Sequence, residues 1–354
     1  MKILFLAPYP LKAAPSQRFR FEQYFDLLQA NGMEYSFQSF YDQITWEVLY
    51  KKGNSLKKGW GLISGFLRRL KLLFSIFRYD RVFIHREVAP IGPPVFEWLI
   101  ANVFNKKIIY DFDDAIWLPN TSTENTMISG LKWHNKVASI CKWSHVVSVG
   151  NAYLGEYSSQ FNRNTFVNPT TIDIQSVHVP SQKSNDLPII GWTGTHSTGK
   201  YLEQIIEVLK EIAQEVEYHF IYISNKPSEL DIPNMEFVQW SATSEIEDLN
   251  RIDIGLMPLE DDEWAKGKCG FKALQYMALE IPALVSPVGV NVEIVDDGVN
   301  GFLCSNSEQW KNCINQLLKD ESLRRQLGKE GRRKVIEKYS VQSNQENFLS
   351  IIKA

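Results

Sequence analysis

The chain has 354 residues, four of them cysteines, and a formal net charge of −3. This length is too great for one ordinary core and suits two domains of roughly 150–200 residues. The composition, 44% hydrophobic and 22% charged, excludes a disordered protein, and the charge gives no reason to expect nucleic-acid binding. The first apolar run, within 1–8, is too short for a signal peptide, and no run reaches the roughly 18 apolar residues of a membrane span.

The cysteines lie far apart, at Cys141, Cys269, Cys304 and Cys313. That spacing suits reduced thiols in a cytosolic protein and offers no zinc site. We therefore expect a cytoplasmic protein, either soluble or attached to the inner face of the cell membrane.

Four apolar runs in the first half are typical of buried parallel strands. They lie at 2–7, 81–84, 107–110 and 145–149. Helical patterns lie between them, including an amphipathic segment from about 18 to 30. Alternating strands and helices predict a parallel α/β sheet.

A basic amphipathic stretch lies between the first two runs. Residues 51–79 contain eight Lys or Arg and no Asp or Glu. Between 57 and 78, basic and small residues recur every three or four positions, and apolar residues such as Ile63, Leu70 and Phe77 lie opposite them. This pattern is typical of a helix at a membrane interface, so we predict a peripheral membrane contact. The alternative is an ordinary helix whose apolar face packs on the sheet.

Three carboxylates follow the run at 107–110 directly. Ligands bind at the carboxyl ends of strands in open α/β sheets, so Asp111, Asp113 and Asp114 should project there. Mutual repulsion would raise the pKa of at least one of them. We expect Asp113 or Asp114 to position an acceptor hydroxyl and take up its proton. The alternative is a cap on the following segment with the other carboxylates solvated.

Cationic and imidazole side chains lie near the same predicted edge. His85 and Arg86 follow the run at 81–84, and either is a candidate contact to a phosphate or to the acceptor. Otherwise they form surface pairs. Arg18 and Arg20 follow the first loop and are further candidates to reach the ligand.

The strand pattern restarts after a polar segment at 174–187, which is typical of a linker. The apolar runs of the second half lie at 187–192, 219–223, 252–257 and 283–286. We predict a doubly wound domain at 1–175 and a second at 186–336, facing a cleft. The alternative is two unrelated α/β domains without a shared site.

Two loops of the second half have the chemistry of a diphosphate site. In the first, Gly194 and Thr195 lie between a strand and a helix, with Lys200 in the first helical turn. Glycine lets the backbone approach an anion, and a helix N-terminus favours phosphate. The loop matches neither the dinucleotide fingerprint nor the P-loop, so a simple turn is the alternative.

In the second loop, Lys268 and Lys272 flank the start of a helix near 271. A cation at this end opposes the helix dipole, which is unfavourable unless an anion is bound. Together the two loops would neutralise a leaving nucleoside diphosphate.

The residues from about 250 to 304 resemble the donor-binding region of glycosyltransferase family 4. The resemblance is carried by 267–269, 271–278, Pro282, 286–289, 293–295 and 298–303. Residues 323 to about 340 resemble the C-terminal helices of that family, and 110–114 and Asn168-Pro169 resemble it more faintly.

The resemblance implies the GT-B fold, two Rossmann-like doubly wound parallel-sheet domains facing a cleft. It implies a retaining glycosyltransferase without a cofactor or essential metal, whose second domain binds a UDP- or GDP-sugar. It also implies that a last helix, at about 337–354, packs back on the first domain. By position, Lys200 resembles the diphosphate-binding lysine of the family and Gln275 matches its ribose-binding glutamate. We expect a glycan acceptor, lipid-linked or a cell-envelope polysaccharide.

The sequence departs from the family at several positions. Of two glutamates usually separated by seven residues, the first falls on Gly267 and the second on Gln275. Glu260 and Glu263, just upstream, are candidate substitutes, and the alternative is a solvated acidic loop at 260–263. Glu280 stands where the family usually has glycine. A second hypothesis is therefore a catalytically degenerate GT-B-like binding or partner subunit. A third is a nucleotide-sugar epimerase, which would convert the donor with no acceptor present.

Overall fold

The structure, a computed structural model, describes residues 1–49, 51, 53–119, 132–181 and 185–354. The chain divides into two compact units. Unit 1 comprises Met1–Pro169 and Gln345–Ala354, and unit 2 comprises Thr170–Asn344. Each contains a six-stranded parallel sheet, so the prediction of two Rossmann-like domains is confirmed.

Unit 1 is built on a sheet with the strand order β2-β1-β3-β4-β5-β6. Its strands are β1 (Lys2–Ala7), β2 (Glu34–Ser39), β3 (Arg81–His85), β4 (Lys107–Phe112), β5 (Val146–Val149) and β6 (Thr165–Val167). In the register, Phe5 of β1 lies between Phe37 and Phe83 of its neighbours. The sequence predicted β1, β3, β4 and β5 but missed the edge strands β2 and β6, which are largely exposed or half-buried and lack a continuous apolar run.

The helices of unit 1 are α1 (Pro15–Arg18), α2 (Phe25–Ala30), α3 (Gln43–Leu49), α4 (Ser55–Leu73), α5 (Val95–Trp98), α6 (Lys136–Trp143), α7 (Ala152–Ser159) and, from the end of the chain, α15 (Gln345–Lys353). The predicted helical segment from about 18 to 30 is divided, because a 3-10 turn at Glu22–Tyr24 separates α1 from α2. Within the unit, Phe348 of α15 stacks on Tyr24 with ring centroids 4.2 Å apart.

The long helix α4 packs on unit 1 through its small residues and one buried arginine. A Cβ atom on Gly65 would lie 2.5 Å from the ring of Phe40, so only glycine lets the helix approach this closely. Arg69 is fully buried and donates to the carbonyl oxygens of Ala7, Gln38 and Val88. Burial lowers the pKa of this guanidinium. The helix is therefore attached by polar bonds and close backbone packing, together with the apolar side chains of Leu72 and Phe66.

Unit 2 has the strand order β12-β11-β10-β7-β8-β9. Its strands are β7 (Ile189–Gly194), β8 (His219–Ser224), β9 (Met235–Gln239), β10 (Ile254–Met257), β11 (Ala283–Val285) and β12 (Gly301–Leu303). Its helices are α8 (Ile206–Ala213), α9 (Glu245–Asn250), α10 (Glu263–Lys266), α11 (Phe271–Ala278), α12 (Asn291–Ile294), α13 (Ser307–Lys319) and α14 (Glu321–Lys334). None of the helices in the described ranges combines the length and the apolar composition of a membrane span.

Two segments of unit 2 differ from the sequence prediction. The helix expected from about 200 begins instead as a 3-10 segment, His196–Ile205, that leads into α8. The predicted linker at 174–187 is packed against unit 2 over its first part, where His178 is fully buried. Residues 182–184 of that linker lie outside the described part of the chain.

Candidate functional site

The carboxyl end of β7 and the first turn of α11 lie together in unit 2. The hydroxyl of Tyr276, on α11, accepts from the backbone N–H of Thr193 at 3.1 Å and donates to the carbonyl of Leu256 at 3.3 Å. Burial raises the pKa of this phenol, so it stays a neutral donor. One tyrosine thus fixes the helix against both β7 and β10.

Lys272 is the second residue of α11 and lies half-buried over an indole. Its Nζ atom is 4.5 Å from the centroid of the Trp192 ring, and Trp192 stacks in turn on Tyr222. Burial, and then repulsion from Lys268, lower the pKa of Lys272 to about 7. In the described part of the chain this ammonium has neither an ion pair nor a hydrogen bond. A poorly solvated cation without a counterion is suited to binding an anion.

The other predicted lysines are more exposed. Lys268 is half-buried with its ammonium 5.7 Å from the ring centroid of Trp264. Lys200 is exposed in the 3-10 segment after β7, with its ammonium 5.2 Å from the ring centroid of Tyr201. The structure therefore gives Lys272 the most enclosed position of the three.

The loop after β7 is tightly built. A Cβ atom on Gly194 would lie 2.6 Å from the Trp192 ring, so a side chain there would displace the indole. Thr195 is exposed, and its hydroxyl lies 3.0 Å from that of Ser197. Asn225 accepts from the backbone N–H of His196 at 2.9 Å and holds the loop to the end of β8. These contacts fix the loop at the same sheet edge as Lys272.

Gln275 is buried, and its amide is already bonded within unit 2. Its Nε2 atom donates to Glu245 Oε1 at 3.3 Å and lies 3.4 Å from Nε2 of His178. Glu245 also accepts from the indole of Trp240. A ribose role for Gln275 stays a prediction, and the structure adds a buried carboxylate, Glu245, beside it. The sequence analysis singled out neither Glu245 nor His178.

The residues named above as departures from the pattern of glycosyltransferase family 4 lie in unit 2. Gly267 is buried where α10 ends, and Glu260 and Glu263 upstream are exposed. Glu280 has a left-handed backbone with φ +57°, which explains the glycine usual at this position.

In unit 1, Asp111 is fully buried in β4 and accepts hydrogen bonds from three side chains. It accepts from Arg20, from His85 Nδ1 at 2.8 Å and from the Ser148 hydroxyl at 2.7 Å. Burial alone would raise the pKa of Asp111, but the Arg20 guanidinium and then the His85 hydrogen bond hold it well below its usual range. Arg20 also donates to the carbonyl of Asn168. Arg20 and His85, both predicted contacts to ligand, are thus enclosed in an internal network.

Arg86 joins the two predicted catalytic carboxylates. Its guanidinium donates to Asp113 at 2.9 Å and to Asp114 at 2.5 Å, and all three side chains are partly accessible. Burial lowers the pKa of Arg86, but the two carboxylates outweigh it and raise that pKa above its ordinary value. The residue has φ +62°, an uncommon conformation for a residue other than glycine, and Tyr110 donates to its carbonyl at 2.8 Å.

The predicted repulsion between Asp113 and Asp114 is therefore offset by one shared cation. Arg18, the remaining candidate, is half-buried at the end of α1, with its guanidinium 4.9 Å from the ring centroid of Phe19. No group of three His, Cys, Asp or Glu among the described residues is arranged to hold a metal ion.

Comparison with known proteins agrees with this architecture. Residues 187–320 match the family described as "Glycosyl transferases group 1". Spore coat protein SA of Bacillus subtilis (strain 168) is 35% identical over 78 residues, which are 21% of this chain and 21% of that protein. The chain thus matches about a fifth of the length of this curated relative.

Solved structures resemble the whole chain. Sucrose-phosphate synthase from Thermosynechococcus elongatus has a TM-score of 0.71 and 13% identity, covering 100% of this chain and 98% of the other. A glycosyltransferase from Rickettsia africae ESF-5 has a TM-score of 0.69 and 14% identity over 99% and 97%. HepE of Anabaena, solved in complex with UDP-glucose, has a TM-score of 0.67 and 16% identity over 100% and 99%. Structural similarity at sequence identities of 13–16% shows the fold of this chain, which is GT-B.

The fold is therefore GT-B, and residues 187–320, which lie in unit 2, match the group 1 glycosyltransferase family. The prediction of a glycosyltransferase is confirmed at the level of this match and of the fold. Membership of family 4, the stereochemistry and the acceptor stay predictions.

Proposed function

We propose that this protein is a retaining glycosyltransferase that moves a hexose-type sugar from a UDP- or GDP-sugar to a lipid-linked or cell-envelope polysaccharide acceptor. The observation that carries the donor site is Lys272, a half-buried cation in the first turn of α11 without an ion pair among the described residues. The group 1 domain, and a fold shared with a protein solved with UDP-glucose, support a nucleoside diphosphate as the anion.

The leaving diphosphate would be neutralised by three kinds of group in unit 2. Lys272 and Lys268 supply charge, the N–H groups at the start of α11 supply hydrogen bonds, and the Gly194-Thr195 loop lets the backbone approach. Lys200 supplies a further cation from the segment after β7. Gln275, with Glu245 beside it, is our candidate for the ribose contact.

Retention would follow from attack on the face that the diphosphate leaves. The acceptor oxygen bonds to the anomeric carbon as the bond between that carbon and the phosphate oxygen breaks. The acceptor proton passes to the leaving phosphate oxygen, so no protein nucleophile is needed. Asp113 and Asp114 would hold the acceptor hydroxyl. We place the reaction in the cytoplasm, where the four cysteines, free thiols in this structure, would stay reduced.

A donor screen tests the proposal. The chain is heated with UDP-, GDP-, ADP- and CMP-sugars, with and without EDTA, and sugar release is followed separately. A nucleotide sugar at about 100 times its Kd should stabilise the protein by about 2.7 kcal/mol. We expect this shift, and slow sugar release, with one nucleotide and unchanged by EDTA.

Each other result of the screen points to a different function. No shift with any nucleotide contradicts the donor site. A shift without turnover on any glycan acceptor favours the degenerate binding or partner subunit. Conversion of the donor to an isomer without acceptor identifies an epimerase.

The carboxylates held by Arg86 give a second prediction. In the variants D113N and D114N, measured singly, we expect at least one to lose about 100-fold in kcat with the Kd for donor unchanged, because a misplacement of the acceptor hydroxyl by about 1 Å can cost about 10²-fold. The matched control is D42N, which removes a carboxylate paired with Arg68 at 3.2 Å in the same unit. Unchanged kcat in both variants would remove Asp113 and Asp114 from the mechanism.

A further inference from the structure

A line of large apolar side chains runs along α4 and the turn that follows it. Its members are Trp60, Ile63, Leu67, Leu70, Phe74 and Phe77, each between 49% and 82% exposed. Leu56, at the beginning of the helix, continues the line and is 90% exposed. The sequence alternative, an apolar face packed on the sheet, therefore does not describe these residues.

The line is exposed because the opposite face of α4 makes the contacts with unit 1. Gly61 and Gly65 approach Thr45 and Phe40, and buried Arg69 bonds to backbone carbonyls. Leu72 is buried on the same face, and Phe66 packs against the rings of Phe40 and Phe96. The attached face is therefore mixed in composition, and the line of exposed apolar side chains remains available for another surface.

The sequence spacing of the exposed apolar side chains places them in one line. Successive members are separated alternately by four and three residues from 56 to 77, so those within α4 lie on one side of the helix, and Phe74 and Phe77 continue the spacing beyond its end. One position further along, at intervals of seven, lie Lys57, Ser64, Lys71 and Arg78, and the three basic residues are exposed. Cations therefore border the apolar line near its beginning and towards its end.

The charges beside the exposed apolar face of α4 indicate which kind of partner binds there. Between 51 and 79 the chain has no carboxylate, so a second copy of α4 would offer its own cations no counterion. An anionic lipid surface satisfies both features, because acyl chains accept the apolar line and headgroups accept the cations. We propose that α4 seats this protein on an anionic membrane surface, with Phe74 and Phe77 among the inserted side chains.

Vesicle co-sedimentation of the full chain tests this. Wild-type protein should pellet with vesicles of phosphatidylglycerol and phosphatidylcholine and remain in solution with phosphatidylcholine alone. The variant F74E/F77E should lose at least about tenfold in partitioning, because two apolar anchors become charged. The variant K57Q/K71Q/R78Q should lose up to about 100-fold, and raised salt should weaken the wild type similarly.

The matched control is V292E/V299E, which places two glutamates at apolar positions of unit 2 that are 49% and 50% exposed. It should bind vesicles within about twofold of the wild type. Equal loss in this control, equal binding to both kinds of vesicle, or no binding at all would overturn the proposal. A dimer in solution that F74E/F77E dissociates would assign the face to a second copy instead. None of these readouts uses donor or acceptor, so failure here leaves the proposed transfer reaction standing.

Discussion

Replacing Lys272 by methionine is expected to lower the affinity for the nucleoside diphosphate by about 100-fold. The ammonium is half-buried over Trp192 and has no described ion pair, so the diphosphate would be its main counterion. Removing one partner of such a charge pair costs about 2–5 kcal/mol. Titration calorimetry with UDP and GDP measures the loss directly.

The matched control for this variant is K311M. Lys311 is an exposed lysine of unit 2 that pairs with Glu211 at 3.0 Å and Glu215 at 3.3 Å. The control should bind the nucleotide as the wild type does. Equal affinity in K272M and wild type would show that the diphosphate, if it binds, lies elsewhere.

The pH dependence of binding provides a separate check on Lys272. Burial, with repulsion from Lys268, lowers its pKa to about 7, so the ammonium of the unliganded protein loses its proton as pH rises through 7. Affinity for the diphosphate should therefore fall between pH 7 and 9. Phosphate itself titrates near pH 6 and adds little change in that window. In K272R the charge persists, and the slope should disappear.

The effect on stability has the opposite sign. The unfolded chain keeps the lysine protonated to about pH 10.4, whereas the folded protein releases that proton near 7. Since the unfolded state binds more protons in this window, the free energy of unfolding of the unliganded protein should rise with pH. A slope equally steep in K272M would assign it to another group.

The second large effect is expected in unit 1. Replacing Arg20 by methionine should lower the free energy of unfolding by about 3–5 kcal/mol, because it leaves Asp111 charged and buried. The double variant R20M/D111N should recover part of the loss, since the remaining amide can still bond to His85 and Ser148. Denaturant unfolding of the three proteins measures the difference.

The ion pair of Arg68 with Asp42, which is partly exposed, provides the control for the loss of stability in R20M. The variant R68M removes a partly exposed partner of Asp42 and should cost no more than about 1 kcal/mol. If R20M were as stable as R68M but failed to use acceptor, Arg20 would be a ligand contact, as the sequence suggested. If it is destabilised as expected, its role is to hold Asp111.

The interior of the fold was more predictable than its edges. Buried strands such as β1 and β8 are continuous apolar runs, and these runs alternate with helical patterns. The edge strands β2 and β9 are half-exposed, and their mixed composition resembles that of loops. The 3-10 segment at His196–Ile205 depends on tertiary contacts, among them that of His196 with Asn225, which no local pattern encodes.

The loops of the candidate site could be predicted from the sequence, but the contacts between its side chains could not. Gly194 and Lys272 were found because glycine and an unfavourable helix-end cation are local signals. The indole under Lys272 and the carboxylate beside Gln275 come from residues distant in sequence. Likewise, nothing local shows that Asp111 is buried with Arg20, whereas Asp113, two residues later, bonds to Arg86.

The basic stretch at 51–79 gives the chain an uneven distribution of charge along its sequence. The chain has a formal net charge of −3, and residues 51–79 contribute +8, so the remaining residues carry −11. A negatively charged surface would therefore attract residues 51–79 of the chain, whereas it would repel the remaining residues taken together. Both forces would act over a distance of about a Debye length, roughly 8 Å at physiological ionic strength.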